Sequence, residues 1–202
     1  MRSVLPFVAL LMACSLPSAR AGSLIVLASD ATGRPLVDAV ALLEPVAGPA
    51  PVKPMADIDI SQARRQFSPR VTLITVGTRA NFPNFDTVRH HVYSFSAAKT
   101  FELKLYAGVP SVPVTFDRAG VAVLGCNIHD QMAAWVVVAD TPWIARSGAD
   151  GQARIDAVPP GSYRLTVWHP SLPTNTMPTP VPLTLGAGDL IHVAKLAINL
   201  DP

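Results

Sequence analysis

From Ser23 onward the apolar residues fall in short β-prone runs, with no long stripe of helical period. The runs "SLIVLAS" (Ser23 to Ser29), "LVDAVALLE" (Leu36 to Glu44), "VTLITV" (Val71 to Val76) and "TRANF" (Thr78 to Phe82) read as strands. So do "HHVYSF" (His90 to Phe95), "TFELKLY" (Thr100 to Tyr106), "VPVTF" (Val112 to Phe116), "VAVLG" (Val121 to Gly125) and "AAWVVV" (Ala133 to Val138). "ARIDAV" (Ala153 to Val158), "YRLTVW" (Tyr163 to Trp168), "VPLTL" (Val181 to Leu185) and "IHVAKLAI" (Ile191 to Ile198) complete the series. Turn signals such as "DATG", "DRAG", "ADG" and "GAGD" separate them. Short strands at this spacing predict an all-β chain of sandwich or barrel type. The one place that admits a helical turn is "MADIDISQARRQF", Met55 to Phe67. The Pro/Ala-rich "EPVAGPAPVKP" (Glu44 to Pro54) reads as a linker, and a second break lies near Ala139 to Gly151. Between the two breaks is a central block long enough for one small barrel.

The first 21 residues change the picture of where the chain works. Arg2 precedes a short apolar core, Val4 to Ala13, and "ARA" (Ala19 to Ala21) fits small-x-small cleavage before Gly22. Residues 1–21 therefore predict a cleaved signal peptide and a periplasmic protein, and no apolar run is long enough for a membrane span. "LMAC", ending at Cys14, offers the competing reading of a lipoprotein. Cleavage removes Arg2 and Arg20 and no acid, leaving 14 basic and 14 acidic residues. Without a basic run, no nucleic-acid partner is expected. Of two cysteines, only Cys126 then remains. A lone thiol in an oxidising compartment is buried, paired with another chain, or bound to a metal.

Cys126 has chemical company. "GCNIHDQMAAWVVV" places His129 and Met132 at +3 and +6 from it, in a loop between two strands. Upstream, "NFDTVRHHVYSF" sets Asn84, Asp86 and His90 in an N-x-D-x3-H array at the start of another strand. One thiolate, two imidazoles and one thioether form the donor set of a mononuclear electron-transfer copper site. Zinc seldom takes a thioether, and calcium takes oxygens. His91 stays open as a competitor of His90; the H-x-V phase of the strand favours His90. His169 and His192 have no spacing that connects them to the site, and no Ser-His-Asp arrangement, phosphate loop or HExxH motif stands out.

Residues 56–140 resemble a cupredoxin of the plastocyanin/amicyanin type, through "ADIDISQARRQFSPRVTLITVGTRANFPNFDTVRHHVYSF" and "VTFDRAGVAVLGCNIHDQMAAWVVV". The Cys-x2-His-x2-Met loop has the amicyanin length. The whole chain is similar to exported proteins that go loosely by the names methylamine-utilization or plastocyanin-like. The resemblance implies an eight-stranded Greek-key barrel, with His90, Cys126, His129 and Met132 as ligands of one copper, cycling between Cu(I) and Cu(II). Two residues depart from the family pattern. His91 stands where Asn usually follows the first ligand, and Asp130 stands where proline often follows the loop histidine. The flanks, 22–50 and 143–202, resemble the two halves of a carboxypeptidase-regulatory-like, transthyretin-type sandwich, through Asp30, Gly33, Pro35, Ala39, Asp150, Gly151, Pro160, Gly161 and Tyr163. The expected architecture is a copper barrel inserted in or flanked by that sandwich; the alternative pairs residues 23–44 with the barrel. The expected function is one-electron transfer to a protein redox partner, with no enzymatic activity. The alternative is a copper-handling or copper-sensing protein with a copper donor or acceptor as partner.

Overall fold

A computed structural model describes residues 21–110, 112–174 and 176–200. The signal peptide expected at residues 1–21 lies almost entirely outside the described residues, as does Cys14. Strands succeed one another as β1 (Gly22–Ser29), β2 (Val40–Pro45), β3 (Ile58–Asp59), β4 (Ser61–Ala63), β5 (Gln66–Ser68), β6 (Val71–Thr75), β7 (Thr78–Asn81), β8 (His90–Ser96) and β9 (Lys99–Tyr106). They continue as β10 (Val114–Phe116), β11 (Gly120–Gly125), β12 (Ala133–Ala139), β13 (Ile144–Arg146), β14 (Gln152–Val158), β15 (Gly161–Trp168), β16 (Val181–Leu185) and β17 (Leu190–Lys195). The described residues contain no helix, and none long and apolar enough to cross a membrane.

The outer strands form two sheets, β14-β1-β17 and β13-β2-β15-β16. β1 pairs antiparallel with β14 and parallel with β17, not with the central strands. The central strands form the sheets β10-β7-β3 and β6-β12-β11-β8-β9, with β4-β5 as a separate hairpin. Each pair of sheets encloses its own core. Leu24, Val26, Leu43, Ile155 and Leu165 fill the flanking one. Ile60, Phe82, Val92, Phe116 and Leu124 fill the central one.

Alternation explains how the two pairs meet. In β2, Ala41 and Leu43 face the flanking core, while Val40 and Leu42 face the other way. In β12, Val136 and Val138 face the central core, while Val137 and Ala139 face away from it. The outward residues of both strands meet, with Val71 and Trp168, in a third buried cluster. Two strands are thus buried on both faces, which is why "VALL" and "WVVVA" read as unbroken apolar runs. The result is a stack of four sheets. The Arg146 guanidinium ties the layers at their edge, donating to Asp38 Oδ1 and to the Val71 carbonyl, each at 2.9 Å.

Three local expectations change. Met55 to Phe67 holds strands and a hairpin, not a helical turn, because Ile58, Ile60 and Gln62 follow a period of two. The break at Ala139 to Gly151 contains β13, which pairs with β2. The run from Leu36 starts as a strand only at Val40, since Asp38 has a left-handed φ of 67°.

Candidate metal centre

His90 is the first residue of β8, and Cys126 follows the last residue of β11. Near His90 the β8–β9 register slips: His90 pairs with Tyr106 but Val92 with Leu103, so β9 carries an extra residue. Such a bulge re-aims the side chains beside it. His90 points into the central core and is fully buried, as is Cys126 apart from a 3% remnant. The loop from Cys126 to Met132 joins β11 to β12, closed by the Met132 amide donating to the His129 carbonyl at 2.9 Å.

Together these elements bring three donor atoms to one point. His90 Nδ1 lies 3.8 Å from Cys126 Sγ, and His129 Nδ1 lies 3.9 Å from it. Within the trio, all ligand atoms are within 4.8 Å of one another. Metal–ligand bonds of roughly 2.0–2.3 Å hold nitrogen and sulfur about 3.7 Å apart around one ion in a trigonal plane, so the separations fit a single metal. The donor chemistry, soft sulfur with two imidazoles, fits copper. Met132 is buried in the same cluster as Cys126. His129 is partly exposed, so the site has one solvent-facing imidazole edge.

His91 is turned to the opposite face of β8. Its Nε2 lies 2.9 Å from Glu102 Oε1, off the alignment of a directed hydrogen bond, and its ring meets Tyr93 edge-on. It is not part of the trio. His169 sits at the joint between the sandwiches, and His192 lies on β17.

The N-x-D-x3-H array acts as a scaffold. Asn84 donates through Nδ2 to the carbonyls of Val88 and Tyr106, at 2.9 and 3.0 Å, and accepts from the Asp86 amide at 2.9 Å. Asp86 Oδ2 lies 2.8 Å from His90 Nε2. The amides of Arg64 and Arg65 also reach its carboxylate, at 2.6 Å to Oδ1 and 2.9 Å to Oδ2. Chiefly the Arg65 amide, then the His90 contact and the Arg64 amide, hold the Asp86 carboxyl below the usual carboxylate range against the cost of burial. Behind His90, the Tyr106 hydroxyl donates to the Phe82 carbonyl at 2.7 Å. Burial pushes that phenol up to about 12, so it stays protonated. Gly125, next to Cys126, lets the Tyr93 ring lie close: a Cβ there would meet its outer end at 2.8 Å, so the ring would have to shift.

Sequence reasoning named Asp86 in its array but missed Gln62, Tyr106 and the Arg64–Arg65 turn. The turn contributes backbone amides, which leave no mark in a side-chain pattern.

No family model matches the chain, and neither does any curated protein sequence. Solved structures do. The chain is similar to a copper-containing nitrite reductase (NirK) from Thermus scotoductus SA-01 over 46% of its own length, at 24% identity and a TM-score of 0.38. It spans 25% of that reductase's length. It is similar to a purple cupredoxin from Nitrosopumilus maritimus at 24% identity and a TM-score of 0.36, covering 42% of this chain and 99% of that one. A variant of amicyanin in its reduced Cu(I) form is similar at 19% identity and a TM-score of 0.36, over 43% of this chain and 91% of that one. The described residues are all-β.

Proposed function

We propose that this chain is an exported mononuclear copper protein that carries single electrons. The observation that carries the reading is the convergence of His90 Nδ1, Cys126 Sγ and His129 Nδ1 on one point at the buried end of a β-sandwich. His90, Cys126 and His129 would hold the ion, with Met132 as a weak fourth donor. Copper bound there supplies one-electron exchange between Cu(II) and Cu(I). The chain's own residues keep the donors in place through both states. His90 is fixed by Asp86, Cys126 by its strand end, and His129 by the turn that Met132 closes. Little rearrangement is then needed when the charge changes. The partly exposed His129, beside exposed Ile128, is the natural contact for a protein redox partner. In this reading the protein itself catalyses nothing. Residues 1–21 direct it to the periplasm.

One observation favours a second reading, copper handling. A cleft of about 650 Å³ is lined by Tyr93, Cys126, Asn127, Asp130 and Met132. Such a cleft gives a route by which metal can be passed to another protein.

The test is a Cu(II) titration followed by visible and EPR spectroscopy. One equivalent is expected to give an intense thiolate-to-copper band and a mononuclear EPR signal. Cys126→Ser is expected to abolish the band. A band that survives the substitution would falsify the thiolate ligation. Release of copper to a chelator within minutes favours handling over electron transfer.

A further inference from the structure

The β4–β5 hairpin stands apart from both central sheets, yet its turn is tied to the metal centre. Ser61 pairs with Ser68, Gln62 with Phe67 and Ala63 with Gln66, leaving Arg64 and Arg65 as a two-residue turn. Both are left-handed, with φ of 55° and 59°. That is the pattern of a type I′ turn, which favours Asn-Gly. A side chain with a Cβ costs roughly 1–2 kcal/mol in that region. Two arginines there need a reason to stay. Both of their amides converge on the Asp86 carboxylate, and the third group on that carboxylate is His90 Nε2.

We infer that Asp86 is a positioning residue that fixes the tautomer of His90, and that the β4–β5 turn is the brace that fixes Asp86. The inference rests on the copper reading above but concerns this chain's residues before any metal arrives. Both oxygens of Asp86 already accept from amides, so the side chain meets His90 as an acceptor. The His90 nitrogen facing it must therefore carry the proton, and Nδ1 keeps its lone pair, aimed at Cys126 Sγ. A metal then meets a ready donor, with no proton to displace from His90. An ionised acceptor on the far nitrogen also makes the imidazole a stronger donor, which favours Cu(II) over Cu(I). Asp86 so ties a backbone turn 21 residues upstream to the electron density of a ligand.

Asp86→Ala tests this. Alanine removes both acceptor oxygens, so His90 Nε2 loses the partner that keeps its proton there. In the metal-free protein, long-range 1H–15N correlation spectra read which nitrogen of His90 carries the proton. The native chain is expected to give the Nε2–H form, and Asp86→Ala to shift it substantially to Nδ1–H. Copper affinity is expected to fall about 10–100-fold, and the midpoint potential to rise. A second variant removes the brace's need for the carboxylate: Asp86→Ala together with Arg64→Asn and Arg65→Gly, which supplies the favoured turn residues. It is expected to recover thermal stability while keeping the altered tautomer and the weaker copper binding. If Asp86→Ala keeps the Nε2–H tautomer with unchanged affinity, the inference is overturned. If the triple variant restores tautomer and affinity along with stability, Asp86 is only a hairpin brace and the inference is again overturned. If the native protein gives no visible copper band, the electron-carrier reading fails. The tautomer of metal-free His90 still decides this one.

Discussion

Each of the two sandwiches carries a held carboxylate, and the two are held in opposite ways. Asp30, in the flanking sandwich, takes the Thr32 amide and hydroxyl, the Arg34 amide and the Arg34 guanidinium. Its carboxyl is held far below the usual range, first by the Thr32 hydroxyl. Every one of those partners lies two or four residues away. Asp86, in the central sandwich, draws on amides 21 and 22 residues upstream and on a histidine four residues downstream. A carboxylate satisfied by its own turn fixes a turn. A carboxylate satisfied by separate segments fixes the relation between them, which is what a site requires. The cores agree with this contrast. The flanking one is aliphatic apart from Tyr163 and the Trp143 ring packed against it, whereas the central one contains Cys126 and Met132, with His90 buried beside them.

The largest effect that could break this contrast is metal-linked stability. Copper at a thousand times its Kd stabilises a native state that alone binds it by about 4 kcal/mol. Calorimetry with and without copper is expected to show that gain in the native chain and in His91→Ala, and to lose it in His90→Ala. The reverse ranking would move the ligand to the outer face of β8. A smaller effect tests whether the sandwiches are separable. Residues 56–140 expressed alone expose Val71, Val137 and Ala139, which Val40, Leu42 and Trp168 otherwise cover. Losing the burial of two valines costs about 3 kcal/mol or more. The fragment is expected to fold and load copper, with a lower denaturant midpoint than the whole chain. A fragment that stays unfolded even with copper would make the four sheets one cooperative unit.

Much of this was legible because its cause is local. Strands such as Ser23 to Ser29 and Tyr163 to Trp168 show as short β-prone runs bounded by turn residues. Cys126, His129 and Met132 sit in one short loop, and the phase of β8 separates His90 from His91. Other features were hidden where their cause is distant. β13 exists because β2 offers an edge, and its three residues, "IAR", are too few to carry a strand signal of their own. The joint between the sandwiches lies on residues that read only as core, because burial on both faces erases the alternation that would reveal a second contact. The β4–β5 turn is held against its own backbone preference by Asp86, so Arg64 and Arg65 give no turn signal in sequence.

The smallest expected effect sharpens the comparison through a second buried histidine. His169 is 4% exposed, in the flanking sandwich next to Trp168 at the joint. Its Nε2 lies 3.1 Å from the Val37 carbonyl, and its Nδ1 accepts from the Ser171 amide at 3.1 Å. The ring is thus donor on one side and acceptor on the other, which only the neutral form can be. Burial lowers its pKa below the ordinary value of 6.5, and the nearby Arg70 lowers it further. The Val37 carbonyl and Asp38, itself paired with Arg146, work in the other direction. The unfolded chain therefore takes up a proton at this residue at higher pH than the folded one. The stability that His169 contributes is full above about pH 6.5 and is lost as pH falls from there toward the lowered folded value. Denaturant unfolding of the metal-free protein is expected to show this slope, and His169→Gln, which can still donate to Val37, is expected to flatten it. An unchanged slope would mean that His169 is reached by solvent at the joint, and that the third buried cluster opens in the native protein.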